Sequence, residues 1–176
     1  MDGEWLAAGI CDVKAGFAQH ESSSLTGHHQ LRCAQHASKG RLLIVDGDTS
    51  VRESLGRALQ MENYHVVLAA NGAEALEKYS TGYIDLVLLD LNIPVKSGWD
   101  VFERMTALNP SLPVVIITAR SDQYKLACVA GASALMEKPL SLPVLLNTIT
   151  KLMQEPIAKR MHRIATHRPI YLTEGS

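Results

Sequence analysis

Four apolar runs of this chain each end on a side chain able to do polar chemistry. Leu86-Val87-Leu88-Leu89 is followed by Asp90, Leu42-Leu43-Ile44-Val45 by Asp46, Val114-Val115-Ile116-Ile117 by Thr118, and Ala134-Leu135-Met136-Glu137 by Lys138. An apolar interior does not tolerate an unpartnered charge, so a carboxylate that closes so hydrophobic a run emerges into a prepared polar site. The carboxylates offer oxygens to cations and hydrogen-bond donors, the ammonium adds a mobile point charge, and the hydroxyl both donates and accepts. Asp90, followed by Leu91-Asn92-Ile93-Pro94, is the most informative of the set.

The runs are continuous rather than alternating, the pattern of parallel strands covered on both faces. Between them, Val51, Leu55, Ala58 and Leu59 fall on one helical face, as do Val101, Met105 and Leu108, and Leu142, Leu145, Leu146, Ile149, Leu152 and Met153. Ser50 with Glu53 reads as a capping box, and Asn71 with Glu74 and Ser97 with Asp100 as weaker versions of it. Gly82, Asn109-Pro110, Gly131 and Pro156 are placed to end successive helices. With a further strand over Tyr64 to Ala70, the pattern predicts five strand-helix units between about Arg41 and about Glu155. Right-handed crossovers with helices on both faces make an open, doubly wound α/β sheet. Ligands of such sheets bind outside the carboxyl ends of the strands, where Asp46, Asp90, Thr118 and Lys138 all fall.

Over residues 41–155 the chain resembles the response-regulator receiver domain of bacterial two-component signalling. The resemblance rests on Leu42-Leu43-Ile44-Val45-Asp46, Leu88-Leu89-Asp90-Leu91-Asn92-Ile93-Pro94 with Gly98, Ile116-Ile117-Thr118-Ala119, Ala130-Gly131-Ala132 and Lys138-Pro139. It implies a flavodoxin-like, five-stranded parallel sheet in the order 2-1-3-4-5. It also implies that Asp90 accepts a phosphoryl group, Asp46 is a magnesium-site acid, Thr118 is the switch hydroxyl and Lys138 contacts phosphate. The backbone carbonyl of Asn92 would meet the metal, and the Lys138-Pro139 bond would be cis. Moving a phosphoryl group onto a carboxylate brings negative charge toward negative charge, so catalysis is mainly positioning and neutralisation, for which Mg²⁺ and a lysine are suited. The function implied is that of a stand-alone, non-enzymatic receiver in a phosphorelay. It would be charged by a histidine kinase or histidine phosphotransfer protein and signal to a downstream protein through altered contacts.

The chain departs from the family pattern at three places. Receivers carry two adjacent acids after the first strand, whereas Asp46 is followed by Gly47. The absent carboxylate is a direct magnesium ligand in the family, so a weaker Mg²⁺ site is implied. Asp48 would compensate if Gly47 let it turn inward; its other reading is a helix-start residue favoured by the dipole. Leu135 stands where receivers place an aromatic that swings inward when the threonine moves. The stretch from Thr118 to Lys138 is also slightly short, which implies a truncated or re-aimed fourth helix. Gly47 and Leu135 together motivate a second reading, a pseudo-receiver that binds partners without being phosphorylated. A third reading, from Asp46-Gly47-Asp48, is a haloacid-dehalogenase-type phosphatase with Asp46 as nucleophile. It leaves Asp90-Leu91-Asn92-Ile93-Pro94 unexplained, and no acidic pair follows Lys138 to hold magnesium.

Composition bounds the rest. A hydrophobic content of 47% over 176 residues supports one substantial core, and a formal net charge of -1 makes no electrostatic case for direct DNA binding. The division expected is a disordered extension over 1–39, the receiver over 40–155 and a basic tail over 156–176, with no room after Glu155 for a further output domain. The tail carries Lys159, Arg160, His162, Arg163, His167 and Arg168, shows no secure helical period, and ends near Ile170, Tyr171 and Leu172, which could pack back on the domain. Cys11, Cys33, His28, His29 and His36 fit no recognised zinc spacing. Trp5 to Ile10 is too short to span a membrane, and its acidic flanks Asp2 and Glu4 do not suit a signal peptide. The expected location is a reducing cytoplasm, with no membrane contact.

Overall fold

Strands β1 (Arg41–Val45), β3 (Leu86–Asp90) and β4 (Val114–Thr118) are buried almost end to end, as their unbroken apolar sequence requires. With β2 (His65–Ala69) and β5 (Ala134–Glu137) they form an all-parallel sheet in the expected order β2-β1-β3-β4-β5. These observations come from a computed structural model that describes residues 38–119, 123–166 and 170–172. The chain divides into Met1–Ala34 and Gln35–Ser176, and the described residues belong to the second unit. The extension and its cysteines and histidines up to residue 37 lie outside the described residues.

Alternate strand residues serve two apolar layers. Leu43, Val45, Val87, Leu89, Ile116 and Leu135 pack on the side of α2 (Gly72–Thr81), α3 (Gly98–Leu108) and α4 (Tyr124–Ala130). Leu42, Ile44, Leu86, Leu88, Val115 and Ile117 pack on the side of α1 (Thr49–Met61) and α5 (Leu142–Gln154). The register pairs Val45 with Leu89, Asp90 with Ile117, and Thr118 with Glu137. The carboxyl ends of these strands therefore share one rim.

Several local expectations are refined. Asp48, not Ser50, caps α1: its Oδ1 accepts the amides of Ser50 at 2.8 Å and Val51 at 3.1 Å. Asp48 stands just ahead of the first helical residue, so its oxygen meets these free amides and places Ser50 inside the first turn. Asn71 caps α2, accepting from the Glu74 amide at 3.0 Å, while Glu74 reaches back to the Ala70 amide at 2.7 Å. Phe102, rather than Leu108, completes the buried face of α3, and Leu142 is exposed. Leu108 is the last residue of α3 and Leu142 the first of α5, so each lies past the packed turns.

Residues 157–165 and 170–172 are more than a solvated basic segment. Helix α6 (Ile157–Ala165) follows Pro156, and β6 (Ile170–Leu172) adds a sixth strand, parallel to β5, pairing with Ala134–Met136. What seats α6 is charge. Arg160, only 8% exposed, donates to the carbonyls of Ser111 at 2.8 Å, Leu152 at 2.6 Å and Glu155 at 3.3 Å. Arg163 donates to the Ser133 carbonyl at 3.1 Å and to both Glu155 oxygens, at 3.2 and 2.8 Å. Two carboxylate oxygens facing one guanidinium form the planar, forked pair that arginine favours.

Hydrogen bonds from Arg163, working against burial, hold the Glu155 carboxyl below the usual glutamate range, and the charges of Arg163, Arg160 and Lys159 add to this. A lowered folded value means that the stabilisation is present above the unfolded value of about 4.3 and is lost as pH falls through the folded one. Arg163→Met is therefore expected to cost about 1–3 kcal/mol at pH 7. Denaturant melts between pH 7 and pH 3 should show this difference shrinking at the acid end.

Candidate functional site

At the shared rim the Lys138 ammonium lies between two carboxylates. Its Nζ donates to Asp90 Oδ2 at 2.6 Å and to Asp46 Oδ2 at 3.0 Å. Asp46 and Asp90 are 4% and 5% exposed, whereas the lysine side chain retains 26% of its surface. Each carboxylate uses its other oxygen on backbone two residues ahead: Asp90 Oδ1 accepts the Asn92 amide and Asp46 Oδ1 the Asp48 amide, both at 2.8 Å. Burial disfavours the ammonium, but hydrogen bonds and charge from Asp90 and Asp46 outweigh it and hold Lys138 above the usual lysine range. The lysine is thus charged throughout the neutral range.

Each member is positioned by backbone. The Lys138 amide donates to the Thr118 carbonyl at 2.8 Å, locking the end of β5 to the end of β4, and the Lys138-Pro139 bond is cis, as the resemblance implies. Arg52 in the first turn of α1 reaches back to the Asp46 carbonyl at 2.6 Å and to Thr49 Oγ1 at 3.2 Å. Gly98 opens α3 against the acceptor's own backbone: a Cβ there would lie 2.7 Å from the Asp90 carbonyl oxygen and 2.6 Å from Leu91 Cα, so no side chain fits. Glycine is needed at that close approach, which seats α3 directly on the residue that follows Asp90.

Of the residues expected at the site, Asp46, Asp90, Lys138, Asn92 and Asp48 line one open cleft of about 550 Å³, together with Gly47, Ile93 and Pro94. Thr118 is on the same rim, 2% exposed at the end of β4, but does not line the cleft. Asp48 lines it while its Oδ1 is engaged in capping α1, so the helix-start reading describes its principal bonds. Arg52 is visible only in the structure, because an arginine in a helical first turn carries no sequence signal of its own. Leu135 is fully buried among Leu89, Ile116 and the α3 residues of the same layer.

The magnesium ion implied by the resemblance would need oxygen donors. Asp46 and Asp90 turn their Oδ2 atoms to the Lys138 ammonium, and the Asn92 carbonyl oxygen lies 3.7 Å from where a Cβ on Gly47 would stand. This all-oxygen set suits a hard cation that keeps most of its water. Among the described residues no group of three or more His, Cys, Asp or Glu side chains gathers to hold a metal. The fit is that of a weak site.

The loop after Asp90 is strained at one residue. Val95 has φ +73° and is 78% exposed. Left-handed backbone brings Cβ against the following carbonyl, and β-branching makes this worse, so the cost is about 1–2 kcal/mol. Val95→Gly is expected to raise stability by about 1 kcal/mol in a denaturant melt, the relief of strain exceeding the added unfolded-state entropy.

Comparison with known proteins agrees with this fold. The chain matches the model of the response regulator receiver domain over residues 42–150. It is 37% identical over 116 residues to the response regulator MprA of Mycobacterium sp. (strain KMS), a match covering 65% of this chain and 50% of that protein. It is 34% identical over 116 residues to the transcriptional regulatory protein PrrA of Mycobacterium tuberculosis, with the same coverages of 65% and 50%. The chain thus spans about half the length of the curated relatives it matches. Among solved structures, a CheY-like receiver domain protein from Methanospirillum hungatei JF-1 is similar with a TM-score of 0.62 and 28% identity, covering 70% of this chain and 97% of that one. The response regulator TrrA of Thermotoga maritima, in complex with Mg(2+)-BeF, is similar with a TM-score of 0.60 and 33% identity, covering 64% and 98%. The sheet order, the rim of Asp46, Asp90, Thr118 and Lys138 and the span of these matches lead to one assignment: the chain belongs to the response regulator receiver domain family.

Proposed function

We propose that Asp90 accepts a phosphoryl group from the phosphohistidine of a histidine kinase or histidine phosphotransfer protein, and that the resulting charge alters contacts with a downstream protein. In this transfer the P–N bond of the donor breaks, a P–O bond to an Asp90 carboxylate oxygen forms, and the imidazole leaves with the electron pair. The observation that carries the reading is the Lys138 ammonium, 2.6 Å from a buried Asp90 oxygen whose partner oxygen is held by the Asn92 amide. Lys138 neutralises charge arriving at the acceptor, and the Asn92 bond fixes the carboxylate plane. Thr118, one strand over, supplies a hydroxyl at the same rim. Asp46, Asp90 and the Asn92 carbonyl would hold Mg²⁺, which when bound adds positive charge for the transferring oxygens. The domain acts as a one-time acceptor rather than a turnover enzyme.

The same reading places no DNA contact on this domain, in keeping with the formal net charge of -1 of the whole chain. It assigns the domain to the cytoplasm; no helix among the described residues is long and apolar enough to cross a membrane.

A second reading, a module that binds without phosphorylation, draws on Gly47. Pro94 Cδ lies 3.0 Å from the position a Cβ on Gly47 would occupy, so the acceptor loop fills the space of the missing acid. Intact mass after incubation with Mg²⁺ and acetyl phosphate separates the two. Addition of one phosphoryl group that Asp90→Ala abolishes is expected, whereas no addition under any metal or donor condition would favour the module. Gly47→Asp would bring a carboxylate beside the Asn92 carbonyl and push Pro94 by a few tenths of an ångström. Pro94 is exposed and can yield. Titration should show Mg²⁺ bound about tenfold more tightly, because a hard cation gains a charged oxygen ligand, at a stability cost of about 0.5–1.5 kcal/mol.

A further inference from the structure

We infer that Trp99 is the positioning residue that links the Asp90 loop to α4, in place of the absent switch aromatic; this rests on the proposed phosphorylation of Asp90. The link begins at backbone. Gly98 sits so close to the Asp90 carbonyl that the first turn of α3 rests directly on the acceptor's backbone. Trp99 is the next residue, and its amide is held by Ser97 Oγ at 3.2 Å. Its indole Nε1 then leaves α3 altogether and donates to Gln123 Oε1 at 3.2 Å, across the interval from α3 to the start of α4. Gln123 occupies the cap position of α4 without capping it through its side chain; the amide oxygen is turned to the tryptophan instead.

The indole is built in rather than loose. It meets the Phe102 ring edge to face, with centroids 5.8 Å apart and planes at 81°, and packs against the layer that contains Leu135. Leu135 is fully buried there and carries no polar atom, so it cannot report a change at the rim by a hydrogen bond. Trp99 can, because one end of the ring is apolar and anchored while the other holds a single directional donor. The element it would move is short: α4 has seven residues and exposes Leu126 at 49% and Val129 at 68%. Added charge on Asp90 displaces the loop that follows it, and the Trp99–Gln123 bond passes that displacement to the turn presenting these two side chains.

The test uses the full chain, acetyl phosphate and Mg²⁺, with intact mass and hydrogen exchange measured on the same samples. In the native chain, phosphorylation is expected to change exchange of the α4 amides by about threefold or more. Trp99→Phe keeps a ring against Phe102 but has no donor, and Gln123→Leu removes the acceptor without touching the ring. Both should take up phosphoryl to the native extent while the α4 response falls away. Trp5 and Trp99 are the two tryptophans, so the emission lost in Trp99→Phe isolates the indole. That emission should respond to phosphorylation in the native chain and not in Gln123→Leu. Normal uptake with an undiminished α4 response in both variants overturns the relay alone. No uptake by the native chain overturns the reading of the site and the relay with it.

Discussion

One ammonium shared by two buried carboxylates is the constraint around which this domain is arranged. Asp46 comes from the end of β1, Asp90 from the end of β3 and Lys138 from just past β5. They meet in a sheet where β1 and β3 are adjacent, β4 lies between β3 and β5, and all the strands point the same way. Two acids this deeply buried would repel each other without the lysine, and the lysine would not leave water without both. The arrangement therefore ties sheet topology to chemistry: the observed strand order brings the ammonium to both buried acids.

The sequence makes the sheet legible because burial on both faces leaves no polar residues within β3 or β4, so Asp90 and Thr118 stand out at their ends. The helix faces were readable where apolar residues repeat, and failed only at terminal positions such as Leu108, where periodicity continues but the packed surface does not. The sequence pattern points to Ser50 as the cap of α1 because a local pattern cannot choose between neighbouring oxygens; Asp48 takes the amides because it precedes the first helical turn. At the site, Asp46, Asp90 and Lys138 are legible as polar residues ending apolar runs, and Asn92 only through the family resemblance. Arg52 and Trp99 are not, since their roles depend on where a long side chain ends and not on where its Cα lies.

Helix α6 shows a different limit. Its docking residues, Arg160 and Arg163, are the most polar in the segment, while Ile157 and Met161 face outward, 65% and 40% exposed. A search for apolar repeats passes over a helix held by guanidinium groups on backbone carbonyls. Such an anchor works because the carbonyls at the ends of α5 and at the starts of β4 and β5 would otherwise be left without donors in a dry setting. Arginine, with five donors in a rigid fork and a charge that does not titrate, can satisfy several at once.

The sixth strand has a consequence for how molecules of this protein meet one another. An open parallel sheet exposes a row of unpaired amides and carbonyls along each outermost strand, a template on which a neighbouring polypeptide can polymerise. Here the β5 row is covered, over Ala134–Met136, by Ile170–Leu172. The closing segment thereby takes that row of β5 out of reach of a second polypeptide.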